Sequence, residues 1–142
     1  MPPFKGSPLG ELARIRNVRS RRISSWDRTG GNDDRIHVSA IRRIEDAVLS
    51  FALEQPIPSL AGYAWHARGY GDFWAHMLVA EGAVDGAVDA VGVKVWDLAA
   101  IQPIVEEAGG RFSDAGGVAR VDGGTAISSN GILHEALLEA VR

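Results

Sequence analysis

The sequence predicts an α/β domain in which helices are layered on a mixed sheet. Three observations carry that expectation. Apolar runs of strand length alternate with segments of helical period along residues 35–142. The chain of 142 residues suits one domain and can bury roughly 70% of the surface its unfolded form exposes. Its 46% hydrophobic and 23% charged residues are the profile of a globular protein and argue against disorder.

The elements follow in order. Residues 1–34 keep no period of 2 or 3.6 and end in turn chemistry at Thr29-Gly30-Gly31-Asn32-Asp33-Asp34. They are expected to form an irregular arm, with a helical turn or two between Leu9 and Val18 at most. Ile36-His37-Val38 reads as a short strand. Ser39 is placed to cap a helical turn through Ile41, Ile44 and Ala47. Ala47-Val48-Leu49-Ser50-Phe51 is a buried strand. A helix is expected from Ser59 to His66, then a loop over Arg68-Gly69-Tyr70-Gly71-Asp72. The next helix runs from Phe73 to Glu81, with Phe73, Trp74, Met77 and Leu78 at helical spacing and Gly82 ending it. Ala83 to Val88 is a strand and Val93 to Trp96 is extended. Asp97 opens a helix whose apolar face is Leu98, Ile101, Val105 and Ala108, closed by a Schellman-type stop at Gly109-Gly110. Arg111-Phe112-Ser113 and Ala126-Ile127-Ser128 are strands. Asn130 caps a final helix with Leu133, Leu137, Ala140 and Val141 inside.

Several function classes drop out. No run approaches the roughly 18 to 20 apolar residues of a membrane helix. The start lacks the apolar stretch of a secretory signal. With no cysteine there is no disulfide scaffold and no thiolate metal site, which fits a cytoplasmic location. The net charge of −3 is uneven: residues 1–28 carry +5 and the remainder −8. A basic arm suggests nucleic acid, but this one lacks the aromatic interleaving that base stacking uses, beyond Phe4 and Trp26. Nucleic acid is therefore not the expected partner.

The familiar catalytic motifs are absent. Gly69-Tyr70-Gly71 lacks the third glycine of a dinucleotide loop, and there is no phosphate loop, nucleophile elbow or zinc-binding His pair. Each of the four histidines reads as a surface residue or a satisfied core residue. The informative stretch is Trp96-Asp97-Leu98-Ala99-Ala100, closed by Glu107-Ala108-Gly109-Gly110. Two readings of Asp97 stand side by side. A carboxylate at a helix start caps free amides and meets the positive end of the dipole. It also suits a hard cation such as Mg²⁺, which takes one or two protein carboxylates with waters and phosphate oxygens.

Those residues resemble the second signature of the inositol monophosphatase family of Mg²⁺-dependent phosphatases. Arg68-Gly69-Tyr70-Gly71-Asp72-Phe73 stands where that family has its substrate loop. With Leu78-Val79-Ala80-Glu81-Gly82-Ala83-Val84-Asp85 it is most similar to the actinobacterial histidinol-phosphatase branch. Arg35-Ile36-His37-Val38-Ser39, Arg43 to Phe51 and Ser129-Asn130-Gly131 resemble it too. The likeness runs from about residue 31 to residue 142, which sets residues 1–30 apart as a basic arm.

The resemblance implies a fold, a chemistry and a set of residues. The fold would be the C-terminal half of an inositol-monophosphatase-like α/β structure. Asp97 would be a ligand of the catalytic Mg²⁺ cluster. Gly71 and Phe73 would present backbone groups to a small phosphate monoester, and Asp72 would face its polar end. In a histidinol-like substrate Asp72 would pair with the ammonium or imidazole. The family tends to place a Glu seven residues before the motif Asp. Here that position is Ala90, with Asp89 one residue earlier, and Asp89 is the substrate-binding candidate. No residue is assigned as acid, base or nucleophile.

Two departures shape the expected function. The family's Asp-Pro-Ile/Leu-Asp-Gly-Thr and Gly-Glu-Glu-type elements, which supply most metal ligands, are missing from residues 1–60. Pro103 interrupts the motif helix, where it removes a hydrogen bond and costs about 3 kcal/mol unless compensated. The expectation is a half enzyme with little activity alone. The alternatives are a split phosphatase completed by a separate N-terminal chain, and a non-catalytic binding or dimerisation module. A homo-oligomer is also expected.

Overall fold

The computed structural model describes residues 35–52, 59–90 and 92–141. The arm expected over residues 1–30 lies outside them. Residues from Ile36 onwards form one compact unit. Its sheet has five strands: β1 (Val48–Phe51), β2 (His66–Arg68), β3 (Gly86–Asp89), β4 (Arg111–Ser113) and β5 (Ala126–Ser129). They lie in the order β2-β1-β3-β5-β4. β1 is parallel to both β2 and β3. β5 is antiparallel to both β3 and β4. The mixed α/β sheet is as the sequence predicts.

Among the described residues, four helices cover it: α1 (Asp72–Ala80), α2 (Val95–Leu98), α3 (Ile101–Glu107) and α4 (His134–Val141). Strand alternation assigns each side chain to a layer. Leu49, Val88 and Ile127 meet Leu133, Leu137 and Leu138 of the α4 layer. Ala87 meets Ala75 and Val79 of α1. Phe112 and Ala126 meet Leu98, Ile101 and Val105 of α2 and α3. The apolar face predicted for the motif helix, Leu98, Ile101, Val105 and Ala108, is buried as expected.

The helix stops are legible in their hydrogen bonds. Gly110 N–H donates to Val105 and Gly109 N–H to Glu106, the paired bonds of a Schellman motif, with Gly109 at φ +86°. α1 closes the same way: Ala83 N–H donates to Leu78 and Gly82 N–H to Val79, with Gly82 at φ +71°. Asn130 does not cap α4, which starts at His134: its Oδ1 accepts from the N–H groups of Ile132 and Leu133 at 3.1 Å each, in the turn before the helix, where Gly131 has φ +83°.

Four further expectations need correction. The helix expected over Ser59 to His66 is one 3-10 turn, Ser59–Gly62, followed by β2. β2 is an exposed edge strand, so no buried alternation marks it. Ile36-His37-Val38 is not a strand: Val38 N–H donates to the Ala108 carbonyl, at the end of α3, instead of to a sheet partner. Ser39 does not cap a helix. Its hydroxyl donates to Asp85, which also accepts from Val48 N–H at 2.6 Å. Burial pushes the Asp85 carboxyl above its usual range, and these two hydrogen bonds pull it partly back. The turn there is limited to Ile44–Asp46.

The fourth correction concerns α1. Phe73 and Trp74 stay exposed, and the buried face is Ala75, His76, Val79 and Ala80. A histidine can turn inward here because both its ring nitrogens find partners.

Candidate active site

The parallel strands set the site. β1, β2 and β3 all point their carboxyl ends toward one edge, where α/β sheets bind ligands. A cleft of about 830 Å³ lies there. Ala52 follows β1, Asp89 ends β3, and Gly71, Asp72 and Phe73 follow β2. Gly92 to Leu98, apart from Lys94 and Val95, and Ala100, Ile101 and Ile104 form the other wall. All the residues predicted for the site, Gly71, Asp72, Phe73, Asp89 and Asp97, line this single cleft.

Each has a local reason to be there. Gly71 precedes α1 with an ordinary extended backbone, so its conformation does not demand glycine. A Cβ there would meet nothing within 4 Å of this chain. Its lack of a side chain leaves the backbone open to the cleft. Asp72 has φ +53°, the one positive φ outside glycine among the described residues. Asp tolerates that region better than most residues, but it remains strained. Such strain at a cleft wall is a mark of functional positions.

Asp89 belongs to the wall because of strand alternation. Asp89 faces the α1 side of β3, and the adjacent Ala90 packs with the α4-side core. The carboxylate therefore reaches the cleft from position 89, not from position 90. Its Oδ2 lies 3.1 Å from Nε2 of buried His76.

Asp97 departs from the reading as a helix opener. α2 starts at Val95, with Lys94 in the cap position. Asp97 sits in the first turn, and its Oδ2 accepts the Lys94 N–H at 3.1 Å. The residue is exposed. The capping bond engages one oxygen of the carboxylate and does not exclude a ligand on the other.

The predicted motif helix is broken at Ala99 and Ala100 into α2 and α3. Pro103 explains the break. It cannot donate to the Ala99 carbonyl four residues back, and its ring crowds that carbonyl. Restarting at Ile101 puts Pro103 in a first turn, where an N–H has no intrahelical acceptor anyway. The compensation also sets Ala100 and Ile101 on the cleft wall.

The electrostatics are one-sided. Asp72, Asp89 and Asp97 line the cleft, and no Lys or Arg is among its described lining residues. Such a wall favours cations and does not attract a bare phosphate. Carboxylate oxygen is the right donor type for a hard divalent ion. The number of donors falls short. Among the described residues, no group of three His, Asp or Glu side chains is arranged to hold a metal. The described residues do not by themselves form a site for Mg²⁺.

Sequence reasoning passed over three contributors. His76 and Ser128 look like ordinary core residues until the fold joins them to Asp89. Trp96, 78% exposed on the cleft, stands within the motif but was given no role. The described helices include none long and apolar enough to cross a membrane.

Known proteins align with this arrangement. The inositol monophosphatase family matches residues 26–142. The chain is 42% identical over 118 residues to a histidinol-phosphatase of Mycobacterium tuberculosis, covering 77% of this chain and 45% of that protein. It is 37% identical over 119 residues to a histidinol-phosphatase of Streptomyces coelicolor, covering 73% and 42%. The chain thus spans less than half the length of these relatives. Among solved structures it superposes on the extragenic suppressor protein suhB from Bartonella henselae with TM-score 0.69, at 27% identity, covering 81% of this chain and 50% of that one. Thermotoga maritima IMPase gives TM-score 0.68 at 28% identity, covering 78% and 46%. With residues 26–142 matched and the fold shared with these structures, the chain belongs to the inositol monophosphatase family.

Proposed function

We propose that this chain is the substrate-facing half of a phosphate monoester hydrolase whose substrate carries a cationic group, of the histidinol phosphate type. One observation carries the reading: Gly71, Asp72, Phe73, Asp89 and Asp97 converge on a single cleft walled by carboxylates. Gly71 and Phe73 present main-chain groups to the substrate. Asp72 and Asp89 pair with its ammonium or imidazole, since a carboxylate complements a cation. Inositol phosphate, which lacks such a group, suits these walls less well.

Asp97 contributes one carboxylate to a Mg²⁺ site whose other ligands come from outside this chain. The partner that supplies them is an N-terminal half, in a cytoplasmic assembly that also includes a second copy of this chain. The test is complementation. Mixing the chain with the N-terminal half of a curated histidinol-phosphatase should restore Mg²⁺-dependent release of phosphate from histidinol phosphate. Asp97→Asn should abolish it. Halves that associate without any turnover would sink the proposal.

A second reading has its own support. The lack of a three-ligand group among the described residues also suits a binding module that keeps the fold without the chemistry. In that case Asp97→Asn leaves partner binding unchanged, and no N-terminal half restores turnover.

A further inference from the structure

The structure joins three buried groups from three elements into one chain of hydrogen bonds. His76 lies on the inward face of α1, fully buried, and Ser128 on β5 is equally buried. Asp89, at the end of β3, is 7% exposed and reaches the cleft. Ser128 Oγ lies 2.7 Å from His76 Nδ1, and Asp89 Oδ2 lies 3.1 Å from His76 Nε2. The β3–β5 pairing sets this up, with Ala87 opposite Ser128 and Asp89 opposite Ala126. Ser128 and Asp89 therefore project to the same face, two strand positions apart along the ladder, and the ring spans them.

The donors can be assigned. An ionised carboxylate only accepts, so the Nε2–H of His76 donates to Asp89. In the neutral ring Nδ1 then accepts, and the Ser128 hydroxyl donates to it. The composition is that of a Ser-His-Asp triad, but the direction is different. Ser128 is sealed in the core and gives its proton inward, so it is no nucleophile. The end that meets solvent is the carboxylate.

We propose that His76, braced by Ser128, is a positioning residue that fixes the Asp89 carboxylate at the cleft wall. Oδ2 is committed to the ring, and Oδ1 is left as an acceptor of fixed direction for a cationic group of the substrate. The substrate part of this rests on the proposed function; the positioning does not. A short Asp side chain at the mouth of a cleft otherwise samples several rotamers, and a pre-set acceptor loses less freedom on binding.

NMR of the full chain tests the positioning without a substrate. The His76 ring should carry its proton on Nε2, and the Asp89 β-proton couplings should report one rotamer. In His76→Leu those couplings should average. In His76→Gln, which keeps an N–H donor near the Nε2 position, they should stay single. A ring protonated on Nδ1 alone, or a single Asp89 rotamer in His76→Leu, overturns the proposal. The tautomer is read in the unaltered chain and depends on no variant folding.

Calorimetric titration with L-histidinol then tests the consequence. His76→Leu should weaken binding about tenfold, the scale of one charge-assisted hydrogen bond. It should weaken Asp89→Asn no further. A purely structural role would act alike in both backgrounds, and that result also overturns the proposal. Failure of the unaltered chain to bind histidinol counts against the substrate reading alone, because the rotamer result decides the positioning by itself.

Discussion

Pro103 stands four residues beyond Ala99, and the motif helix is interrupted at Ala99 and Ala100. The interruption converts an interior proline into a first-turn proline. The first prediction follows. Pro103→Ala should change stability by less than about 1 kcal/mol, instead of recovering the roughly 3 kcal/mol of an interior proline. Urea unfolding of the two proteins measures the difference.

Gly109 and Gly110 are adjacent and needed for different reasons. Gly109 supplies the positive φ of the Schellman stop. Gly110 supplies space: a Cβ there would lie 2.6 Å from the Ser129 carbonyl oxygen and 2.9 Å from both Val105 and Val38. Gly110→Ala should destabilise by about 1–3 kcal/mol, as overpacking does. Thermal melting checks it.

Asp72 carries the strain of φ +53° at the cleft. Glycine adopts that backbone freely and alanine does not. Asp72→Gly should therefore be more stable than Asp72→Ala by about 1 kcal/mol. Both should bind L-histidinol more weakly than the unaltered chain. Denaturant melts and titration read the two effects separately.

His134 makes stability depend on pH. Its Nε2 lies 2.9 Å from Ser113 Oγ, and Ser113 gives its own proton to the Asp114 carbonyl. Nε2–H is therefore the donor, and Nδ1 accepts from Ser129 at 2.9 Å. A second ring proton would displace that arrangement. Burial, assisted by the charge of Arg111, lowers the ring from 6.5 to about 4. The depressed value means that the folded state binds this proton less readily than the unfolded chain. The contribution is fully present above pH 6.5 and is lost as pH falls through 6.5 toward 4. Stability should drop over that window with a slope of about one proton, and His134→Asn should remove that part of the slope. Urea melts at a series of pH values test it.

Particular residues show where sequence reasoning reaches and where it stops. Gly109-Gly110 and the Leu98-Ile101-Val105-Ala108 face are local patterns, and each does in the fold what its pattern predicts. β2 escapes notice because an exposed three-residue edge strand buries nothing in alternation. Val38 looks like strand sequence, but its amide is claimed by Ala108, seventy residues away. The convergence of Gly71, Asp72, Phe73, Asp89 and Asp97 on one cleft is anticipated by motif likeness. Their distances and partners are not. Asp89 is distinguished from Ala90 only by the pleat of β3, and His76 from an ordinary core histidine only by what lies across the sheet.

The proposed function gives this chain the substrate side of a phosphatase site whose remaining metal ligands come from an N-terminal half. The most direct measurement is phosphate release from histidinol phosphate by the purified chain with Mg²⁺, alone and after addition of an N-terminal half from a curated histidinol-phosphatase. The chain alone should release no phosphate above buffer, and turnover should require both halves and Asp97. Turnover by the chain alone at the rate of an ordinary phosphatase would contradict it.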